Sequence, residues 1–198
     1  PTITAKMRVV NTGDSIAAEG EKERQSIYNG LPLRGGERLS MKILDHGKTG
    51  SGKDKTGLDF TDPDRNLIVS SITEVISESQ RESFMLNLVS REAISNETTR
   101  VFKKYSAKIS TSVETILKDV LATETDRYEV DDTSNDYQFI GNLRKPFTIL
   151  VWLASKSVPD KSGDTTAGFL FYQTQDGFRF KSIESLTKQK SKATYTYA

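Results

Sequence analysis

Leu67-Ile68-Val69-Ser70-Ser71-Ile72-Thr73-Glu74-Val75-Ile76-Ser77 and Glu82-Ser83-Phe84-Met85-Leu86-Asn87-Leu88-Val89-Ser90 are the two runs whose reading decides the fold. Both are rich in β-branched and large apolar residues and read as strands over 66–77 and 82–90. The second is the cleaner. Phe84, Leu86 and Leu88 share one face, while Met85 and Val89 sit opposite with Ser83 and Asn87. The first alternates imperfectly. A strand apolar on both faces is covered on both sides or lies at an interface. Residues 78–81 supply the turn, so the pair reads as a hairpin. Arg91 and Glu92 then open a polar connection to Tyr105, and 108–122 follows as the clearest amphipathic helix. Its Ile109, Val113, Ile116, Leu117, Val120 and Leu121 share one helical face. Thr111 and Glu114 have the spacing of a capping box at its start, and Lys118 suits the dipole near its end.

Upstream, residues 2–10 alternate with period two: Ile3, Ala5, Met7 and Val9 against Thr2, Thr4, Lys6 and Arg8. That is a half-buried strand. Residues 11–36 are polar and glycine-rich, a long loop of the kind that packs on a neighbour or has a function. Residues 37–45 form the next strand, with Leu39, Met41 and Ile43 on one face. Residues 46–64 contain Gly47-Lys48-Thr49-Gly50-Ser51-Gly52-Lys53-Asp54, to be tested as a phosphate loop. Gly47, Gly52 and Lys53 fit the pattern. Asp54 does not, because it puts a carboxylate where a hydroxyl should bind magnesium. No helical period follows, so the free amides of a helix N-terminus are missing. The expectation is a loop between strands.

Downstream, 122–142 is acidic and becomes strand-like at 137–140. Asp131, Asp132 and Asp136 lack the glycine and distal glutamate of a calcium loop and read as a solvated turn. Residues 146–158 form a second helix, with Pro146 in its first turn. Phe147, Leu150, Val151, Ala154 and Val158 make one face; Ile149, Trp152 and Leu153 widen it. Residues 168–182 form a hairpin about Asp176-Gly177, a type I′ signal. That loop pairs Gln175 with Phe178, Gln173 with Phe180 and Phe171 with Ser182. Phe169, Phe171, Phe178 and Phe180 then share a face, a core seat for the two helices. Stacking of nucleic acid or polysaccharide on these aromatics is the competing use. Residues 188–198 are basic, then alternate from Ala193 as a strand begins.

The bulk numbers narrow the function classes. The chain has 198 residues, enough for one large domain or two small ones, with strand-dominated pattern giving way to helix-rich pattern near Tyr105. The fold class expected is α+β. Its 28 basic and 27 acidic side chains leave a net charge of +1, which argues against a broad basic face for nucleic acid. There is no cysteine and one histidine, His46, so thiolate and multi-histidine metal sites are excluded. No apolar run approaches membrane-spanning length, and a soluble protein is expected. His46 stands in the Gly/Lys loop with no Gly-x-Ser-x-Gly nucleophile motif nearby. Glu82 is the one carboxylate in an apolar setting. A carboxylate pair for hydrolysis can be recognised only in the fold. We assign no catalytic, cofactor-binding or metal residues; composition and periodicity leave the function open.

The order of segments carries a resemblance. The strands 67–77 and 82–90 lead into Arg91-Glu92-Ala93-Ile94-Ser95-Asn96-Glu97. The helix Ser112-Val113-Glu114-Thr115-Ile116-Leu117-Lys118-Asp119-Val120-Leu121 follows, then the helix 147–158 and the hairpin 169–183. With the phrases Ala167-Gly168-Phe169-Leu170-Phe171 and Asp176-Gly177-Phe178, this resembles the baseplate hub protein of T4-like contractile-tailed phages, especially cyanophage relatives. The match covers roughly residues 67–186, in element order and short phrases without an active-site motif.

The resemblance implies a non-enzymatic virion protein of the tail baseplate. It implies a homotrimer whose subunits each carry two tube-like β domains with an α/β insertion between them. The resulting pseudo-sixfold ring adapts the hexameric tail tube to the trimeric spike. Residues 1–105 would be the first tube domain and 106–198 the insertion, with two helices and a β-hairpin. No second tube domain follows within these residues: either the chain continues, which the strand beginning at Ala193 favours, or this is a short version whose second ring half comes from elsewhere. The implied partners are its own copies, the spike protein, tube or tube-initiator proteins and the surrounding baseplate wedge. DNA would pass only transiently through the lumen; no membrane and no cofactor are implied. The alternative is a phage-associated hydrolase or nucleotide-binding enzyme using Gly47 to Lys53.

Overall fold

Two apolar cores, built on different periodicities, divide the chain. A computed structural model describes residues 2–12, 25–31, 33–44, 57–78, 81–160 and 168–190. The chain forms two compact units, Thr2–Ile94 and Ser95–Ala198, and is α+β.

In the N-terminal unit, β1 (Thr4–Asn11), β6 (Arg81–Val89), β5 (Leu67–Glu78) and β2 (Arg38–Leu39) form one antiparallel sheet, in that order. The expected hairpin is present, with Glu78 opposite Arg81 and Ile68 opposite Val89. The expected alternation is also present. Phe84, Leu86 and Leu88 are buried, and Ala5, Met7 and Val9 of β1 lie directly across from Leu88, Leu86 and Phe84. The imperfect alternation of 66–77 has a physical cause. Register shifts between Val69 and Ser71 and between Thr73 and Ile76 insert extra residues into β5. Such bulges bend a strand and increase its twist.

The strand expected over 37–45 is two strands. Arg38–Leu39 pairs with β5, whereas β3 (Met41–Leu44) turns away to pair with β4 (Gly57–Phe60). Ile43, expected inside with Leu39 and Met41, is 49% exposed opposite Leu58. A short helix, α1 (Ile27–Gly30), interrupts the expected long loop.

The polar connection expected over 91–105 is α2 (Arg91–Thr98), in which the division between units falls, followed by β7 (Lys104–Lys108). β7 pairs antiparallel with β9 (Asp136–Ile140), placing Tyr105 opposite Phe139. The amphipathic helix is α3 (Ile109–Thr115), continued by one π-helical turn, Ile116–Val120. Ile109, Val113, Ile116, Leu117 and Leu121 are all at most 2% exposed, so the face read from the sequence is the buried face. The capping box is corrected. The helix starts before Thr111, whose carbonyl accepts from the Thr115 hydroxyl one turn later (2.8 Å).

The second helix, α4 (Pro146–Ala154), is shorter than expected. It buries Phe147, Ile149, Leu150, Leu153 and Ala154, while Val151 and Val158 face outward. A helix so uniformly apolar has no moment strong enough to set its rotation, and packing chooses the face.

β10 (Phe169–Thr174) and β11 (Gly177–Ser182) form the expected hairpin, with a corrected loop. Thr174 pairs with Gly177, Phe171 with Phe180 and Phe169 with Ser182, so the loop is Gln175-Asp176. Both loop residues have negative φ, which excludes type I′. Gly177 instead serves β8 (Tyr128–Val130), which adds to β11 in parallel. A Cβ at Gly177, where φ is +127°, would lie 1.9 Å from the Arg127 carbonyl oxygen. The error shifts every pair by two residues, so the faces survive. The four phenylalanines are buried, with Phe171 stacked on Phe178 (5.3 Å) and Phe147 of α4 tilted against both. They are core, not a stacking platform. The chain then forms α5 (Ile183–Thr187); the strand expected from Ala193 lies outside the described residues.

Leu117 is fully buried, so Leu117→Ala should cost about 2–5 kcal/mol. Val151→Ala, on the outer side of the same core, should stay within about 0.5 kcal/mol. Urea unfolding followed through Trp152, the single tryptophan, measures both.

Candidate assembly surfaces

In the N-terminal unit, sealing one face of the sheet defines the other. Lys6, Arg8 and Val10 of β1 stand opposite Asn87, Met85 and Ser83 of β6, and these stand opposite Ser71, Thr73 and Ile76 of β5. This outer face is polar with isolated apolar residues. Asn87 Nδ2 donates to Ser71 Oγ and Thr73 Oγ1, both at 3.1 Å. The bulged Ser70 donates its hydroxyl to the Asn87 carbonyl (3.0 Å). Glu74 sits at φ +54° and pairs with Arg8 (2.7 Å). Val10, Val75 and Ile76 are 44%, 43% and 53% exposed at the hairpin end.

The sheet also has open edges. β2 covers β5 only at Leu67 and Ile68, extended by the Gly36–Val69 and Val69–Glu37 backbone bonds (2.7 and 2.9 Å). Among the described residues, no strand pairs with β5 beyond that point, nor with the outer edge of β1.

Glu82, the carboxylate singled out from the sequence, is 6% exposed on the core side. Its oxygens accept from the Ser26 hydroxyl (3.1 Å) and the Tyr28 amide (3.2 Å), so it anchors α1 to the sheet. His46 and Gly47 to Lys53 lie outside the described residues. Among the described residues, no group of three or more His, Asp or Glu is placed to hold a metal ion. No helix among them is long and apolar enough to cross a membrane.

In the C-terminal unit, helix ends are held by side chains distant in sequence. Asn96 Oδ1 accepts from the Phe147 amide (2.8 Å) at the start of α4, and the Thr133 hydroxyl accepts from the Ser110 amide (3.0 Å) at the start of α3. Asn135 accepts from the Val158 amide (3.0 Å) and donates to the Lys156 carbonyl (2.8 Å) beyond the end of α4. No local signal marks these partners.

Asp131 is likewise not part of a solvated turn. It accepts from Lys181 Nζ (2.9 Å), the Ser182 amide (3.1 Å) and the Ser185 hydroxyl (2.6 Å), tying β8 to the end of β11 and to α5. Burial alone would raise its pKa, but the bonds from Ser185, Lys181 and Ser182 outweigh it and hold the carboxyl below its ordinary value. Burial likewise works against the Lys181 charge, and Glu129 with Asp131 overcomes it, raising that pKa.

The turn between β9 and α4 is strained. Asn142 and Leu143 have φ of +48° and +54°, and the Arg144 amide donates to the Gly141 carbonyl (3.0 Å). Both central residues therefore adopt the left-handed conformation that glycine and asparagine take readily and leucine does not. The backbone rungs from Gly141 to Lys103 (3.1 Å) and from Val101 to Arg144 (3.0 Å) hold it in place. Leu143 and Phe102, between these rungs, are 67% and 66% exposed. Beside the turn, a cleft of about 210 Å³ is lined by Phe139, Ile140, Arg144, Thr148, Ile149 and Trp152 among others.

These features define an α+β chain whose exposed devices are a two-faced sheet and an apolar turn, and comparison with known proteins agrees at the level of fold. No family model matches the sequence, and no curated protein does. The 43 kDa tail protein of prophage MuSo2 from Shewanella oneidensis superposes with a TM-score of 0.53 at 7% identity, over 90% of this chain and 44% of that one. An E. coli component of the type VI secretion system, itself structurally similar to the T4 bacteriophage tail proteins gp27 and gp5, superposes with a TM-score of 0.52 at 12% identity, over 92% of this chain and 42% of that one. The chain spans less than half the length of either, and at such identities the likeness is one of fold.

Two outcomes follow. A depressed carboxyl contributes stability above its unfolded pKa and loses it as pH falls through its folded pKa. Asp131→Asn should therefore cost about 1–3 kcal/mol at pH 7, a deficit that starts to shrink below about pH 4 and closes at the lower pH where the folded carboxyl protonates. Urea titrations of both proteins across pH measure it. Leu143→Gly should relieve about 1–2 kcal/mol of strain against about 0.5–1 kcal/mol of added chain entropy. Its Tm, followed through Trp152, should equal or exceed that of the wild type.

Proposed function

We propose that this chain is a structural subunit of a phage-type contractile tail, and more narrowly the central baseplate hub that joins the hexameric tube to the trimeric spike. The observation that carries the reading is the sheet of the N-terminal unit: one face holds the buried core, and among the described residues the other has no second layer and two edges have no partner strand. Open edges recruit further strands through main-chain hydrogen bonds. Cyclic association of such surfaces closes a ring.

The energetics point the same way. Six apolar residues form the buried core of this unit, among those described, against seventeen in the C-terminal unit. So thin a core gains from burying more surface between copies. The likeness to two tail-related proteins supports the same setting, the virion baseplate. On this reading the N-terminal unit is the tube-like domain and the C-terminal unit the α/β insertion, with the boundary at Ile94–Ser95 and not at Tyr105, which lies within β7, and the role involves no catalysis. The partners are further copies in a trimer, tube and spike proteins, the baseplate wedge, and DNA in transit. Arg8 is neutralised by Glu74, which suits a lumen that must release phosphate.

Native mass spectrometry should find a trimer or larger ring, and electron microscopy a central opening. Val75→Lys with Ile76→Lys, at exposed positions on β5, should abolish assembly. The stability of the isolated subunit should change by less than about 1 kcal/mol. A monomer at every concentration, with no affinity for tube or spike proteins, would overturn the reading.

A further inference from the structure

The strained turn at Asn142 and Leu143 has no part in sealing a core. It presents Leu143 and Phe102 to solvent, and Ile140, 58% exposed, continues the patch along β9. Backbone strain maintained beside an exposed apolar patch marks a surface used for binding. The cleft next to it has an apolar wall from Phe139, Ile149 and the half-buried Trp152, and a polar mouth from Asn142, Arg144 and Thr148. Its volume, about 210 Å³, is below the roughly 300–1,000 Å³ of small-molecule sites and suits one inserted side chain.

Two segments beside it are basic. The segments 100–104 and 140–145 carry Arg100, Lys103, Lys104, Arg144 and Lys145 and no carboxylate. Lys145 pairs with Glu97, and Arg100 donates to the Glu97 and Thr99 carbonyls (2.9 and 2.6 Å). Lys103, Lys104 and Arg144 are exposed. An apolar cleft with a cationic rim complements a peptide with an apolar side chain among carboxylates. A nucleic acid track would need a longer basic stripe, and the chain as a whole is at +1.

We propose that the cleft between β9 and α4 docks an acidic segment of a partner protein, which inserts one apolar side chain against Trp152 while Arg144 and its lysine neighbours take the carboxylates. This goes beyond the ring reading and does not depend on it, since every residue involved lies in the C-terminal unit.

Trp152 makes the test direct. The full chain is titrated with the peptide Asp-Glu-Leu-Phe-Asp-Glu, exciting tryptophan alone. A saturable emission shift is expected, absent with Lys-Lys-Leu-Phe-Lys-Lys and at least tenfold weaker with Asp-Glu-Gly-Gly-Asp-Glu. Arg144→Glu and Thr148→Phe, both at exposed positions, should each weaken it at least tenfold while leaving Tm in place. No saturable shift up to about 1 mM, the weak end of the affinity scale, overturns the proposal. So does equal binding of a short oligothymidylate, which would make the site one for nucleic acid. A Trp152 shift on self-association without peptide would put a second copy in the cleft and overturn it too.

Discussion

A β-strand can bury only every second residue, and β6 is where that constraint governs this protein. As the central partner of β1 and β5, it commits Phe84, Leu86 and Leu88 to one face. Ser83, Met85, Asn87 and Val89 are thereby placed on the other, which among the described residues carries no second layer. The bulges of β5 follow from the same arrangement, because its paired segment carries more residues than β6 offers partners. Among the described residues, the result is a sheet with a small buried core, a face without a second layer and edges without a partner strand. In isolation those are liabilities; in an assembly they are attachment surfaces.

The C-terminal unit solves the opposite problem. Its core is deep, and α4 is apolar almost all round. What needs specifying is the position of each helix. Polar atoms do this at the helix ends: Asn96 for α4, Thr133 for α3, Asn135 beyond the close of α4. Asp131 does the equivalent for β11 and α5. A rigid body of this kind can hold the Asn142-Leu143 turn in a conformation that the turn residues do not favour, and so display an apolar patch without collapsing it.

Both candidate sites among the described residues are surfaces for other molecules to pack on. The candidate assembly face and the candidate docking cleft belong to separate units and are built differently, one from backbone edges and one from a cavity with a charged rim. The likeness to tail-related proteins is one of fold.

The sequence alone reveals the α+β class, the 66–90 hairpin with its faces, the buried stripe of α3 and the aromatic face of the last hairpin. All of these are periodic signals, and a period is written locally. It also placed β1 correctly, since Ile3, Ala5, Met7 and Val9 are the half-buried set. The rest depends on contacts between segments far apart in the chain. The rotation of α4 is set by its neighbours because its own sequence is apolar on nearly every side. Gly177 reads as a turn residue yet exists for the parallel approach of β8, a contact about fifty residues away in sequence. Asp131, Asn96 and Thr133 look like ordinary loop and surface residues until their partners arrive from elsewhere. The cleft beside Trp152 was illegible for the same reason: its walls come from β9, a turn and α4, and no periodicity links them.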